Sequence, residues 1–313
     1  MMESIRTNIK LSNYTTLHIG GVADYFVEVT TKEELKAALS WAKAHTTTPP
    51  LILGGGSNVL ISDEGYRGLV IVNRIENLTY KEDGQKVFAY VGAGNILDTF
   101  IADSVEKKYW GLENLSAIPG TVGATPVQNV GAYGVEVGEY VDSVIAIHRD
   151  TLEEKPFSKL ECAFGYRDSY FKSEAGSKWI ITEVVFLLSI LAIPRTSYAD
   201  LSTLSNLEST QKQIRDTVIS IRSNKFPEWN KVGTAGSFFK NPIISKAEFA
   251  ELQKQYADIV GYEQSNERVK VSLGWVLDRI CGLKGFVSGN VRLFEKQALV
   301  LVAEKNATAE EIN

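Results

Sequence analysis

The sequence predicts an α+β protein built from more than one packed unit. Segments of helical period alternate with short runs rich in Val, Ile and Leu, and several of those runs end in glycine turns. With 313 residues, 44% hydrophobic and 23% charged, the chain is long enough for two or three domains with cores of their own. It has no internal repeat and no low-complexity linker.

Taken in order, TKEELKAALSWAKA (31–44) predicts a helix. Thr31 and Glu34 stand in capping-box spacing, and Leu35, Ala38, Leu39 and Ala42 share one face. PLILGGGSNVLI (50–61) reads as a buried strand, a glycine turn and a second apolar strand; GLVIVN (68–73) and VFAYVGAG (87–94) continue as strands. NILDTFIADSVEKKY (95–109) returns to helical period, with Leu97, Ile101, Ser104 and Val105 roughly aligned. The apolar run VVFLLSILAI (184–193) is too short to span a bilayer and reads as a buried strand continuing KWIITEVVFLL. TQKQIRDTVISIR (210–222) is a helix by the spacing of Ile214, Val218 and Ile221, and SNKFPEWNKVG breaks it with Pro227 and Gly233. A second domain begins there, with SKAEFAELQKQY and SLGWVLDRICG as helices and QALVLVA (297–303) as a strand. In the last residues, Thr308 and Glu311 again have capping-box spacing, but a helix that short needs further chain to pack against. The expected division is therefore 1–223, itself two α+β subdomains (1–73 and 74–223), followed by 224–313, expected to be truncated at its C-terminus.

Composition excludes several functions. The net charge of −5, with Lys and Arg interspersed among Asp and Glu, gives no basic footprint for nucleic acid. MMESIRTNIKLSNYTT lacks the apolar stretch of a secretory signal, so a cytoplasmic protein is expected. His18, His45 and His148 form no H-x-H or H-x-x-x-H pair, which argues against a metal centre or a histidine triad. Cys162 and Cys281 lie far apart and read as buried free thiols. The chemistry is therefore expected to come from a cofactor.

Two segments carry the chemical signal. GGGSN (54–58) follows a strand and can aim backbone N–H groups at an anion, diphosphate above all; a plain tight turn is the competing reading. GLENLSAIPGTVGATPVQNVGAYG (111–134) holds five glycines and two prolines, with Asn114, Ser116, Gln128, Asn129 and Tyr133 as its polar groups. A flat heteroaromatic ring, needing edge hydrogen bonds and close backbone approach without counter-charge, would fit it. GGGSNV and GAGNIL both lack the last glycine of G-x-G-x-x-G, and no G-K-[ST] is present, so neither a Rossmann site nor a P-loop is supported.

These segments occur in one order with CAFGYRDSYFK (162–172), NKFPEWNKVGTAGSFFKNP (224–242) and GWVLDRICGLKGFVSGNVRLFEKQALVLVAEKNAT (274–308). Together they closely resemble the UDP-N-acetylenolpyruvoylglucosamine reductases of bacterial peptidoglycan synthesis, from about Thr16 to about Thr308. The resemblance implies an FAD-binding fold of the p-cresol methylhydroxylase type plus a C-terminal α+β substrate domain. It implies non-covalent FAD, NADPH as reductant, and UDP-N-acetylglucosamine enolpyruvate as the small-molecule substrate of a monomer. By the same resemblance the FAD cradle comprises Gly54, Gly55, Gly56, Ser57, Asn58, Ile118, Pro119, Gly120, Gly123, Gln128, Asn129, Gly131, Ala132 and Tyr133.

The implied reaction passes a hydride from flavin N5 to C3 of the enolpyruvyl ether and a proton to C2. Arg167 in FGYRDS matches the family's cation for the enolate-like intermediate, and Ser237 in TAGSFFKNP matches its proton donor. Without the resemblance, Arg167 reads as a partner of Asp168 and Ser237 as a turn serine. Tyr166, Tyr198, Lys225, Asn241 and Gln297 fall at positions implied to contact substrate or nicotinamide nucleotide, Tyr198 on a loop that covers the sugar nucleotide. The family's further strand, with an assisting glutamate, has no counterpart before Asn313, which leads to an expectation of impaired chemistry and a frayed second domain unless the chain is a fragment. Two alternatives stand beside the reductase: another flavin oxidoreductase of the same fold, and a flavin-binding protein without catalysis. No His or Cys lies within the glycine segments, which disfavours covalent flavin attachment.

Overall fold

Strand β1 (Arg6–Lys10) pairs antiparallel with β2 (Val22–Val29), and helix α1 (Lys32–His45) carries the chain over to β3 (Leu51–Leu53) and β4 (Tyr66–Asn73). In this sheet, ordered β1-β2-β4-β3, β4 is parallel to both neighbours. Its last six residues are all buried, as a central parallel strand covered on both faces requires. The apolar face of α1, Leu35, Ala38, Leu39 and Ala42, is buried with Val27, Val29, Leu69 and Ile71. Thr31 caps the helix by accepting from the Glu34 N–H, while the Glu34 carboxylate reaches back one residue further than expected, to the Thr30 N–H at 2.7 Å. These features belong to a computed structural model that describes residues 4–204 and 208–313.

A second, antiparallel sheet follows. After β5 (Leu78–Asp83) and β6 (Lys86–Gly92) comes helix α2 (Leu97–Glu106), then a hairpin of β7 (Gly131–Ala132) and β8 (Val135–Glu136). Strands β9 (Val141–His148), β10 (Glu154–Ser158) and β11 (Trp179–Ser189) complete the order β10-β9-β11-β6-β5. Its core unites Val184, Phe186 and Leu188 of β11 with Leu97, Phe100 and Ile101 of α2, and Phe100 and Phe186 stack at 5.1 Å. Leu112, Leu115, Val122 and Val135 lock the irregular 111–137 stretch into the same core. Helix α3 (Gln211–Lys225) buries Ile214 and Val218 with Trp110, Tyr133 and Leu201.

The remainder forms β12 (Gly233–Ser237), β13 (Ile243–Ser245), α4 (Lys246–Gln255), β14 (Gly261–Gln264), β15 (Arg268–Val271), α5 (Leu273–Trp275), β16 (Val287–Ser288), β17 (Val291–Phe294), β18 (Gln297–Ala303) and α6 (Ala309–Ile312). Two sheets result, β12-β18-β17-β16 and β13-β15-β14. The described chain divides into two units. One takes the residues up to Tyr14, Gly21–Gly56 and Glu64–Arg222; the other takes Thr15–Gly20, Ser57–Asp63 and Ser223–Asn313. The second unit thus borrows two N-terminal segments: Leu17 and Ile19 are buried with Leu301, Ala303 and Ala309, and Leu60 packs against them.

Several sequence expectations are corrected. Val59–Ile61 forms no strand, because the chain there runs as an irregular loop in the second unit. The run 184–193 leaves the sheet at Ser189, and Ile190, Leu191 and Ile193 are exposed. Cys162 is buried, and burial pushes its thiol up to about 12, but Cys281 is exposed. SLGWVLDRICG gives one α-turn and then a π-helical stretch over Val276–Ile280. The four-residue α6 does form. Besides its Thr308–Glu311 box, Asp63 accepts from the Ala309 and Glu310 N–H groups at 3.0 and 3.1 Å, satisfying first-turn donors that a short helix leaves open.

Gly233 shows how closely the borrowed segment lies. Thr16 and Thr234 exchange backbone and hydroxyl bonds at 2.8 and 2.7 Å, and a Cβ at Gly233 would fall 2.0 Å from the Leu17 carbonyl oxygen. Gly233→Ala should therefore destabilise the protein by about 2 kcal/mol, as overpacking against backbone does. A urea midpoint equal to wild type would show that the Leu17 segment can slide aside.

Candidate functional site

The Gly54–Gly56 turn and the 118–123 segment meet closely, Gly55 backbone to backbone. A Cβ on Gly54 would lie 2.2 Å from Thr121 Oγ1, and one on Gly55 2.9 Å from the Gly120 Cα. Gly56 and Gly120 have φ of 63° and 120°, conformations that glycine adopts without strain. Gly123 is pressed on Ala93, where a Cβ would come within 2.5 Å of the Ala93 Cβ. The N–H groups of Leu97, Val122 and Gly123 donate to Gly120 O, Asn95 O and Ala93 O, which stitches the 92–97 turn to the same segment. Ile118, Pro119 and Gly120 are half-buried within this bare surface.

An ionic clasp fixes it. Asp98, in the first turn of α2, accepts from Arg215 at 2.6 and 3.0 Å and from the Ala117 N–H at 2.6 Å, and Arg222 Nε donates to Ala117 O at 3.1 Å. Burial works against the Asp98 charge, but the Arg215 and Ala117 donors outweigh it and hold the carboxyl below its ordinary range. Arg222 is lowered chiefly by burial and has the Tyr133 hydroxyl as a partner. The sequence reading gave Asp98, Arg215 and Arg222 no role. The signal was present in α3, where the two arginines stand seven apart and so share one helix face.

The cradle's second loop is bound by its own side chains. Asn129, 2% exposed and at φ 46°, donates to Glu136 Oε2 (2.7 Å) and Gly165 O (2.9 Å) and accepts from the Gly138 N–H (2.9 Å). Both of its donors are thus engaged inside the protein. Tyr133, at φ 49°, turns its ring into the α3 cluster. What these two residues offer outward is backbone, together with Gly131, Ala132 and the half-buried Gln128. Arg167, also at positive φ (53°), lays its guanidinium on this loop: Nη2 donates to Gly131 O, Nη1 to Asn129 O at 3.4 Å, and Glu136 Oε1 lies 3.7 Å from Nη1. Its partner is therefore Glu136, not the neighbouring Asp168. Tyr166 lies under the guanidinium, 5.4 Å from its ring centre, and Tyr198, 44% exposed, meets Tyr133 edge-on at 5.6 Å.

Behind the loop, Asn114 donates to Tyr133 O (2.9 Å) and Arg195 O (2.7 Å), and Arg195 pairs with Glu139 at 2.6 Å, tethering the root of the Tyr198 segment. Glu113 is 1% exposed; Oε2 accepts from the Gly111 N–H, while Oε1 has no hydrogen-bond partner. Burial raises its pKa, and burial together with Glu113 pushes the Tyr140 hydroxyl up to about 12.

Six of the expected residues lie with the second unit. Lys225 ends α3, and Ser57 and Asn58 follow the glycine turn. Ser237 is exposed at the end of β12, paired with Val300 across a bulge beside Gly236, whose φ is 72°. Asn241 accepts from the Leu273 N–H at 3.0 Å, so its carbonyl oxygen caps α5. Gln297 opens β18 and accepts from the Leu299 N–H at 3.4 Å. No group of three or more His, Cys, Asp or Glu among the described residues could hold a metal ion, and no helix there is long and apolar enough to cross a membrane.

The bare-backbone cradle, with the Asn114 and Asn129 amides turned inward, sits on a unit of the FAD-binding class. Residues 23–150 match the family model described as FAD binding domain, and residues 227–313 match the C-terminal domain of UDP-N-acetylenolpyruvoylglucosamine reductase. The chain is 38% identical to the UDP-N-acetylenolpyruvoylglucosamine reductase of Pasteurella multocida over 303 residues, covering 96% of this chain and 88% of the relative. It is 40% identical to that of Bdellovibrio bacteriovorus over 314 residues, covering 98% and 92%. The crystal structure of the Thermus caldophilus reductase superposes with a TM-score of 0.69 at 26% identity, covering 98% of this chain and 92% of that one. The chain belongs to the UDP-N-acetylenolpyruvoylglucosamine reductase family.

Two outcomes follow from this geometry. Gly55→Ala, whose Cβ would press on Gly120, should weaken FAD binding at least about tenfold with the fold retained, a loss of about 1.4 kcal/mol; unchanged affinity in a fluorescence titration would separate the two glycine segments functionally. Because Glu113 has a raised folded pKa, the native state holds its proton more tightly than the unfolded chain. Stability is therefore lost as pH rises from the ordinary carboxylate range through the raised value. Glu113→Gln should accordingly gain melting temperature relative to wild type between pH 5 and pH 8; a pH-independent difference would refute that account.

Proposed function

We propose that the protein reduces UDP-N-acetylglucosamine enolpyruvate to UDP-N-acetylmuramate, with FAD as cofactor and NADPH as reductant. The observation that carries this reading is Arg167, a cation fixed on the loop of the bare-backbone cradle. Family membership supplies the substrate. The backbone of Gly54–Asn58, Ile118–Gly120, Gly123 and Gln128–Tyr133 would hold FAD, Gln128 with its amide as well, and the glycines fit that role because a Cβ at Gly54, Gly55 or Gly123 would push the packed segments of the cradle apart. The chemistry that FAD supplies when bound is a two-electron hydride relay from NADPH to carbon. No covalent link is involved on this reading; Cys162 is buried, its thiol raised to about 12.

The net change is balanced: the enolpyruvyl double bond gains a hydride at C3 and a proton at C2, and NADPH leaves as NADP+. As C3 is reduced, negative charge grows on C2 and the adjacent carboxylate. Arg167 stabilises that charge more than the ground state, because its guanidinium is already oriented by carbonyls and needs no rearrangement. Ser237 gives the proton to C2. A hydroxyl of ordinary acidity suffices only toward a strongly basic carbanion and at close range. Tyr166 stacks under Arg167, Tyr198 covers bound sugar nucleotide, and Lys225, Asn241 and Gln297 contact the diphosphate or nucleotide.

Anaerobic stopped-flow absorbance tests this in two halves. In the wild type, NADPH should bleach the flavin and the enolpyruvyl substrate should restore it. Arg167→Lys and Ser237→Ala should leave bleaching intact and slow restoration by about 100-fold or more, the range for losing a charge-stabilising or proton-donating group. Restoration at the wild-type rate in both variants would remove these residues from the chemistry, and absence of flavin in the wild type would remove the reading altogether.

A further inference from the structure

We propose that Glu136 is the positioning residue that holds the Arg167 guanidinium in its working orientation. The proposal rests on the reading of Arg167 above. Glu136 is itself immobilised from three sides: it pairs with Gly131 across the β7–β8 hairpin, its backbone N–H donates to Glu139 at 2.9 Å, and its Oε2 accepts from buried Asn129 at 2.7 Å. Its remaining oxygen, Oε1, stands 3.7 Å from Arg167 Nη1.

The two side chains pass over the bare backbone of Gly131. A Cβ there would lie 2.8 Å from Glu136 Cγ and 3.0 Å from Arg167 Nη1, so glycine is what allows them to converge. The guanidinium donates to Gly131 O and Asn129 O, and these two bonds leave three of its five N–H groups for a substrate carboxylate. Carbonyls alone fix two donors. The carboxylate adds a charge that selects one rotation of the planar fork over others. At 29% and 37% side-chain exposure the pair is too solvated to be a strong source of stability, so its effect is on orientation. The same carboxylate holds Asn129, which in turn holds Gly138 and Gly165, the latter two residues before Arg167. Glu136 thus ties the arginine to the cradle loop through side chain and backbone together.

Glu136→Gln tests this in the FAD-loaded protein, since the amide keeps an acceptor for Asn129 and for the turn while removing the charge that faces Arg167. Flavin content and the rate of bleaching by NADPH should match wild type. Restoration by UDP-N-acetylglucosamine enolpyruvate should slow about tenfold, less than outright loss of a charge-stabilising donor, with KM changed less than about threefold. In an Arg167→Lys background the same substitution should cost less than about twofold, because the geometry it protects is already gone. A tenfold cost in both backgrounds, loss of FAD from E136Q, or a wild-type restoration rate would each overturn the proposal. If Arg167→Lys itself restored flavin at the wild-type rate, the reading of Arg167 would fail and take this one with it. A slow Arg167→Lys with a silent E136Q would sink the positioning role alone.

Discussion

The rest of the structure depends on the near-contact of two stretches of naked backbone, Gly54–Gly56 against Gly120–Thr121. At the distances found there, a Cβ on Gly54 or Gly55 would press on Thr121 or Gly120. Such closeness is costly in chain entropy, since glycine is the residue that loses most freedom on folding. It persists because both partners are over-determined elsewhere. The first follows a strand paired in parallel with β4, and the second is stitched to the 92–97 turn and clasped at Ala117 by Asp98 and Arg222. What comes closer than a Cβ would allow is the facing chain itself, Thr121 at Gly54 and Gly120 at Gly55.

Around that contact the polar residues divide into those that hold the backbone and those that face outward. Asn114, Asn129, Asp98 and Arg222 satisfy carbonyls and N–H groups of irregular chain that no helix or sheet pairs, and Arg215 holds Asp98 in place. Ala117, Asn129, Tyr133 and Arg167 all sit at positive φ without being glycine. Such conformations cluster where surrounding structure enforces them, and here the enforcing bonds can be named residue by residue. Arg167 belongs to both groups, strained in backbone and anchored on the loop it serves.

Regular elements were legible in the sequence because their cores repeat along the chain. The stripe Leu35, Ala38, Leu39, Ala42 and the buried run of Gly68–Asn73 needed no long-range knowledge. The strand expected at Val59–Ile61 failed for the converse reason: Leu60 goes to the core of the second unit, and sequence does not say which core a residue serves. The glycine segments were legible as bare backbone, but not as partners of each other. Asn129 and Tyr133 were read as side chains for a cofactor, whereas their side chains are consumed in holding the loop. Asp98 with Arg215, 117 residues apart, carried no local signal of pairing. Ser237, an exposed serine beside a glycine, is distinguished by resemblance and not by its surroundings.

The chain enters the second unit three times, at Thr15–Gly20, Ser57–Asp63 and from Ser223 onward. A C-terminal fragment cut at the most obvious linker would therefore leave behind Leu17, Ile19 and Leu60 from its core and Asp63 from the start of its last helix. The second unit is threaded through the first in sequence, so no contiguous C-terminal piece of the chain contains it whole. A gene that exchanged the C-terminal third of such a protein would have to exchange matching pieces near its beginning as well.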